Sequence, residues 1–302
     1  MSLRAGLSRI VIVVTTLAVL PVAKVAAQEH PARRVATIVS VAIEEYRKAV
    51  DPRGRLISAQ EYQETTDFLA DARLAAERLS GETVTSARAL LDSIAAAVAA
   101  RRPPAALDSL ELRFAALLGD DARLELPKRP LDVAQGKAIY ERSCASCHGV
   151  SGLGDGPAGR GLNPAPPAIG TSTLMHGVSP AMMYRITSIG IAGTPMASFA
   201  GTLTSEQRWS VVAYVNTLRT TTARQLEGEG LYTQRCASCH GVTGAGDGTL
   251  ARSLTRLPPE IGSVAWQMEH SDEQIADVVM QGVAGSAMPP ASDLTAAQAA
   301  SI

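Results

Sequence analysis

The chain has 302 residues, with 28 basic and 29 acidic side chains for a net charge of −1, so no basic excess exists to pair with a nucleic-acid backbone. Aromatic residues make up 4% and hydrophobic ones 46%, with alanine abundant, a balance that favours helices with thin cores. The length gives room for two or three small domains.

The first element is a leader. Arg4 and Arg9 precede an apolar stretch from Ile10 to Leu20, and Val25-Ala26-Ala27 stands before Gln28. This three-part layout predicts a signal peptide over residues 1–27 and a periplasmic or otherwise extracytoplasmic protein. The apolar stretch is short for a membrane span, and an uncleaved, membrane-associated anchor is the alternative.

Residues 30–126 carry apolar side chains at helical spacing and no cysteine. Val35, Ile38, Val39, Ala42, Ile43 and Tyr46 line one face of a first helix, broken at Asp51-Pro52-Arg53-Gly54. Ser58-Ala59-Gln60-Glu61 reads as a capping box opening a second helix with Tyr62, Leu69, Ala72, Ala76 and Leu79. A third holds Leu90, Leu91, Ile94 and Val98 and ends before Pro103-Pro104; a fourth carries Leu107, Leu110, Phe114 and Leu117 and stops at Gly119. Four such helices with short turns predict a small antiparallel bundle. Glu44, Glu45, Glu61 and Glu64 offer carboxylates to a metal, although acids on helices are far more often simply solvated. Residues 127–130 read as a linker.

Beyond the linker, Cys144-Ala145-Ser146-Cys147-His148 and Cys236-Ala237-Ser238-Cys239-His240 use every cysteine of the chain. Covalent c-type haem requires two thiols one helical turn apart for its vinyl groups, and the adjacent histidine then falls beneath the iron. Two such motifs predict two covalent haems, held by Cys144, Cys147, Cys236 and Cys239 with His148 and His240 as proximal ligands. A four-thiolate zinc site and a thioredoxin-like dithiol are the alternatives. Zinc fits poorly because each pair has its own histidine and its own downstream repeat, and a dithiol would want a preceding strand.

The motifs lie 92 residues apart, and the same offset carries Gly136 to Gly228, Tyr140 to Tyr232, Gly152 to Gly244, Asp155 to Asp247 and Gly193 to Gly285. The chain therefore holds a duplicated domain, with boundaries predicted at residues 131–221 and 222–302. This register selects the distal ligands, because Met196 maps to Met288. Met175, Met182, Met183 and Met280 map to Gln267, Gln274, Ile275 and Ser188, and core filling accounts for such methionines. His176 maps to Met268, a ligand exchange that ranks below Met196 and Met288. His/Met ligation fills both axial positions and raises the potential relative to two histidines, which suits electron transfer and argues against catalysis at the iron. No catalytic residue is assigned.

Each repeat resembles a class I cytochrome c. In that family a loop carbonyl accepts the Nδ1 proton of the proximal histidine, and the in-register Pro166, Pro167, Pro258 and Pro259 fall in the corresponding loop. Pro167 and Pro259 are the chosen acceptors, with loop stiffening an equally good account of the prolines. The run Gly152-Leu153-Gly154-Asp155-Gly156 follows a haem motif rather than a strand and reads as a tight turn with no phosphate role. The resemblance also implies that an opening helix with Gly136 or Gly228 crosses a closing helix. In the first repeat Thr204-Ser205-Glu206-Gln207 caps that partner, which carries Trp209, Val212, Tyr214 and Leu218. In the second the closing helix is cut short at Ile302, with alanines where Trp209 would map, as expected of a fragment of a longer protein.

The order of leader, helical segment from Ala32-Arg33-Arg34-Val35, haem motif and Gly-x-Gly-Asp-Gly resembles the periplasmic part of bacterial cytochrome c and iron-permease fusion proteins. No Arg-Glu-x-x-Glu motif and no permease helices follow before Ile302. The predicted architecture is all-α, a helical bundle followed by two tandem cytochrome c domains. The predicted function is extracytoplasmic electron transfer between a redox donor and an acceptor protein. Its rivals are a cytochrome subunit of an oxidoreductase complex and the redox module of a membrane iron permease.

Overall fold

The computed structural model describes residues 30–302, so the predicted leader lies outside the described residues. Among these residues the fold is helical, with one isolated antiparallel bridge between Val50 and Leu56. The first four helices are α1 (Pro31–Ala49), α2 (Ala59–Ala76), α3 (Val84–Ala99) and α4 (Pro104–Leu118). Two sets of five follow. The first is α5 (Val133–Ser143), α6 (Ala145–His148), α7 (Ser172–Met175), α8 (Pro180–Ile189) and α9 (Ser205–Thr217). The second repeats it as α10 (Thr222–Arg235), α11 (Ala237–His240), α12 (Val264–Glu269), α13 (Asp272–Gln281) and α14 (Ala296–Ala299).

The bundle forms as its periodicity dictates. Val35, Ile38, Val39, Ala42, Ile43 and Tyr46 are all buried, and α1 packs along both α2 and α4. Leu69, Ala72, Leu91, Ile94, Val98, Leu107 and Phe114 complete the core, while α4 stops at Gly119, whose φ of +67° ends the helix without a Cβ penalty. Only half of the expected capping box forms at α2: the Ser58 hydroxyl accepts from the Glu61 N–H, but the Glu61 carboxyl turns instead toward Glu45. α1 is buried well beyond a single stripe, at Ala32, Ala36, Val41 and Glu45 as well, because it also packs against α8 of the first repeat.

In the first repeat α5 crosses α9 with almost no gap. A Cβ on Gly136 would collide with the Ser210 carbonyl, so glycine alone permits the approach. Tyr140, Trp209, Val212 and Val215 fill the crossing, Trp209 stacking on Tyr184 at 4.2 Å. The predicted linker is pinned rather than free. Trp209 Nε1 donates to the Glu125 carbonyl at 2.7 Å, the Lys128 N–H donates to Glu206, and Leu124 and Leu126 pack on the first repeat's core.

The second repeat makes the same crossing with less. Gly228 faces the Ser301 carbonyl as Gly136 faces Ser210, although α14 has a single turn. Thr204 with Gln207 and Thr295 with Gln298 form equivalent capping boxes one residue out of the 92-residue register, a deletion between Met288 and Thr295. That shift puts Ala300 at the place of Trp209, and Ala276 stands where Tyr184 stands in the first repeat, so the aromatic stack has no counterpart. The buried core here is Val279, Leu294 and Ala299.

The two repeats touch through α8 and α12. Met268 packs on the first repeat's core, Arg219 pairs with Asp272 at 3.1 Å, and the Glu273 N–H donates to the His176 carbonyl.

Gly136→Ala is expected to destabilise the first repeat by about 1–3 kcal/mol through overpacking. Gly230→Ala, with nothing within 4 Å of its Cβ, is the neutral control; thermal unfolding of both variants distinguishes them. Burial, reinforced by Glu61, raises the Glu45 carboxyl to about 7 despite Lys48 nearby. The folded chain thus keeps this proton after the unfolded chain, titrating near 4.5, has released it, and stability falls as pH rises through that window. Glu45→Gln is expected to raise Tm at pH 8 and to lose the gain by about pH 5, read by calorimetry across that range.

Candidate functional site

The two haem motifs are built alike from the backbone upward. α5 is capped by the Asp132 carboxylate accepting from the Gln135 N–H and ends at Cys144. The chain restarts at once as the single turn α6, in which the Cys147 and His148 N–H groups both donate to the Cys144 carbonyl, at 3.1 and 3.0 Å. Cys144 and Cys147 therefore sit one turn apart with His148 adjoining. Cys236, Cys239 and His240 repeat the arrangement, both N–H groups returning to the Cys236 carbonyl at 3.1 and 2.9 Å. The Tyr140 hydroxyl donates to the Gly149 carbonyl at 2.7 Å and Tyr232 to Gly241 at 2.8 Å, tying each opening helix to the turn after its histidine.

The glycine run is a tight wrap around the histidine. The Gly154 N–H donates to the His148 carbonyl and Gly156 to Cys147; Gly246 and Gly248 do the same for His240 and Cys239. Gly154 and Gly246 have φ of +77° and +73°, and a Cβ on either would run into the Pro166 or Pro258 carbonyl. The wrap thereby brings the proline loop against the histidine. His148 Nδ1 lies 3.3 Å from the Pro167 carbonyl, which also accepts from the Ile169 N–H. With the Nδ1 proton donated there, Nε2 keeps its lone pair for a metal. Burial lowers the His148 pKa against the opposing pull of Pro167. Burial also lowers His240, and the Pro259 carbonyl opposes it, but His240 Nδ1 is buried without a partner in bonding geometry. The second histidine contact is a looser copy of the first.

Met196 and Met288 sit in matched loops. The Met196 N–H donates to the Thr194 hydroxyl and the Met288 N–H to that of Ser286, both at 3.1 Å. Their carbonyls accept from Ile191 at 2.9 Å and Val283 at 3.0 Å. Gly190 and Gly282, at φ of +73° and +66°, let each methionine carbonyl fold back onto the end of the preceding helix.

In the second repeat these pieces meet in one cavity of about 370 Å³, of small-molecule size. Cys236, His240 and Met288 line it together with Tyr232, Trp266 and Val279. An apolar hollow beside a core of three buried residues, with a histidine nitrogen and a methionine on its wall, fits a planar apolar cofactor carrying a metal. Trp266, stacked on His270 at 4.1 Å, was not singled out from the sequence, because its register partner Leu174 carries no aromatic signal. Met268 packs on the first repeat's core instead, and His176 joins the seam through its backbone carbonyl.

The rival readings of the cysteines fare worse. Burial and the neighbouring Cys147 push the Cys144 thiol up to about 11, and burial raises Cys236 too, the opposite of the depressed thiol that a redox dithiol needs. Among the described residues the one close grouping of three or more metal-type side chains is Glu45, Glu61 and Glu64, and the four cysteines do not gather into one. Glu44 turns away from that grouping to Arg47. No helix among the described residues is long and apolar enough to cross a membrane.

Residues 131–215 and 223–302 each match the family described as cytochrome C oxidase, cbb3-type, subunit III. The chain is similar to the cbb3-type cytochrome c oxidase subunit CcoP of Azospirillum sp. (strain B510), 27% identical over 169 residues, which are 51% of this chain and 54% of that protein. It is similar as well to the cbb3-type cytochrome c oxidase subunit FixP of Sinorhizobium medicae (strain WSM419), 27% identical over 126 residues, or 38% of this chain and 41% of that one. The chain thus spans about half the length of the curated relatives it matches. Among solved structures, a chain of the Kuenenia stuttgartiensis reducing HAO-like protein complex Kustc0457/Kustc0458 aligns at 26% identity over 59% of this chain and 96% of its own, with a TM-score of 0.27. With two consecutive matches over more than half its length, the chain belongs to the cytochrome c family described as cytochrome C oxidase, cbb3-type, subunit III.

Proposed function

We propose that this chain carries electrons outside the cytoplasm through two covalently attached c-type haems, one in each repeat. His148 and Met196 would hold the iron of the first, and His240 and Met288 that of the second. The observation that carries this reading is the single cavity walled by Cys236, His240 and Met288, in a repeat whose counterpart builds every one of those loops again. The proposed division is a leader over residues 1–27, a bundle over 30–126 and cytochrome domains over 131–221 and 222–302.

Held in this way, the haem would supply one-electron exchange. The protein's part is positional. Cys144, Cys147, Cys236 and Cys239 tether the group, so that its location is fixed by the single turns α6 and α11. The Pro167 carbonyl orients the His148 ring and, by accepting the Nδ1 proton, raises the basicity of Nε2. Thr194 and Ser286 orient the methionine loops through the backbone rather than through sulfur, leaving the thioethers free to face inward. With a histidine and a methionine both holding the group, each site would serve electron exchange, and a substrate centre would lie on a partner polypeptide. The names of the relatives favour the role of a cytochrome subunit in an oxidase complex over that of an iron-uptake module.

Pyridine haemochrome analysis of protein matured in a periplasm is expected to give two haems per chain, and one after Cys144→Ser with Cys147→Ser. A wild-type protein without covalent haem would overturn the reading. Met196→Ala and Met288→Ala are each expected to remove about half of the near-infrared methionine-to-iron band, and Met288→His to lower the potential of one haem in a redox titration.

A further inference from the structure

Helix α8 belongs to two cores at once. Met183 and Tyr184 are buried in the first repeat, while Met182 and Ile189 are buried in the core of the N-terminal bundle, with Val178, Ile186 and Ile191 packed against it. Ile189 is the last residue of α8, and Ile191 is the residue whose N–H holds the Met196 carbonyl. The bundle therefore grips the stem of the loop that presents Met196. Arg185 of α8 is buried at the same seam: burial lowers its pKa, and the nearby Glu111 and Glu44 of the bundle with Glu269 of α12 offset that only in part.

The second repeat has the same loop without the grip. Met182, Ile186, Ile189 and Ile191 are replaced in register by Gln274, Val278, Gln281 and Val283, all exposed, with Val278 and Val283 each at 45%. The residues that enter the bundle core in one repeat thus face solvent in the other, although the hydrogen bonds inside the two methionine loops are equivalent. A loop stem packed on both sides opens less often than one packed on a single side.

We propose that the N-terminal bundle is a clamp on the distal-ligand loop of the first cytochrome domain, with Ile189 and Ile191 as positioning residues, and that the second domain lacks this clamp. The haem consequence rests on the assignment of Met196 as a ligand, whereas the loop mechanics do not. The clamped loop keeps Met196 in place and closes the distal side of the first site to small exogenous ligands. The second loop, held by its own hydrogen bonds and its own small core, opens more readily.

Two measurements on the full chain test this. Hydrogen exchange of the holoprotein reads the loops directly: the Ile191 amide is expected to exchange at least about tenfold more slowly than the Val283 amide. Equal rates, or slower exchange at Val283, would overturn the clamp whatever the ligands are. Ile189→Gln copies the residue of the second repeat, and Val283→Ser is its control. Ile189→Gln is expected to weaken the methionine-to-iron band by up to half and to let the reduced protein bind carbon monoxide at one haem per chain, while Val283→Ser leaves the first haem unchanged. A full band and no carbon monoxide binding in Ile189→Gln would also overturn the proposal. Met196→Ala keeps the two readings apart: a band unaffected by that substitution removes the ligand assignment, and the exchange comparison then judges the clamp by itself.

Discussion

The rest of the structure depends on a carbonyl-to-Cα approach at the crossing of an opening and a closing helix. Gly136 against Ser210 and Gly228 against Ser301 leave no room for a Cβ, and this closeness sets where each opening helix ends. The cysteine pair and the histidine follow that end without an intervening residue. A shift of the crossing would therefore carry the thiols and the proximal ring with it. The tyrosine four residues beyond each glycine, bonded to the turn after the histidine, closes the same frame from the other side.

Within that frame the two repeats spend different residues on the same backbone. The first builds its core from Trp209 stacked on Tyr184 and from the buried Arg208, whose guanidinium donates to the Ser188 hydroxyl. The second has Ala276, Ala299, Ala300 and Met280 at those places and is left with a core of three buried residues around an open hollow. A domain so poor in apolar contacts of its own takes much of its cohesion from whatever fills the hollow, by the linkage that couples binding to folding. The looser contact at His240 Nδ1 belongs to the same picture. The asymmetry extends outward, since the first repeat packs helix on helix against both the bundle and its twin, while the second faces the bundle across a small cavity that Glu44 and Lys48 share with Glu269 and Gln274.

The bundle is also more than an appendage. α1 is buried on most of its circumference, and the segment after α4 is fastened to the first repeat by the Trp209 indole and by Leu124 and Leu126. The carboxyl of Glu45 sits inside this packing with its proton held to about neutral pH, beside Glu61 and Lys48. Sequence patterning places these acids on helices but does not say which of the four neighbouring glutamates are drawn together. Glu45, Glu61 and Glu64 converge, and Glu44 leaves for Arg47.

The amino-acid sequence by itself determined the four bundle helices, the duplication, and the candidate set of cysteines, histidines and methionines. These are local matters: a 3.6-residue period, a glycine or proline at a boundary, and a fixed chemical spacing between thiols and imidazole. The Pro167 carbonyl is what the resemblance to class I cytochromes implies rather than what the register selects, since Pro166 shares that register, and His148 Nδ1 lies 3.3 Å from the Pro167 oxygen. Tertiary structure alone decided what lies behind each site. That Ile189 and Ile191 enter a foreign core while Gln281 and Val283 meet water, and that Trp266 walls a cavity, depends on contacts between segments far apart in the chain. Periodicity tells a residue that it is buried; only the packing of whole domains tells it against what.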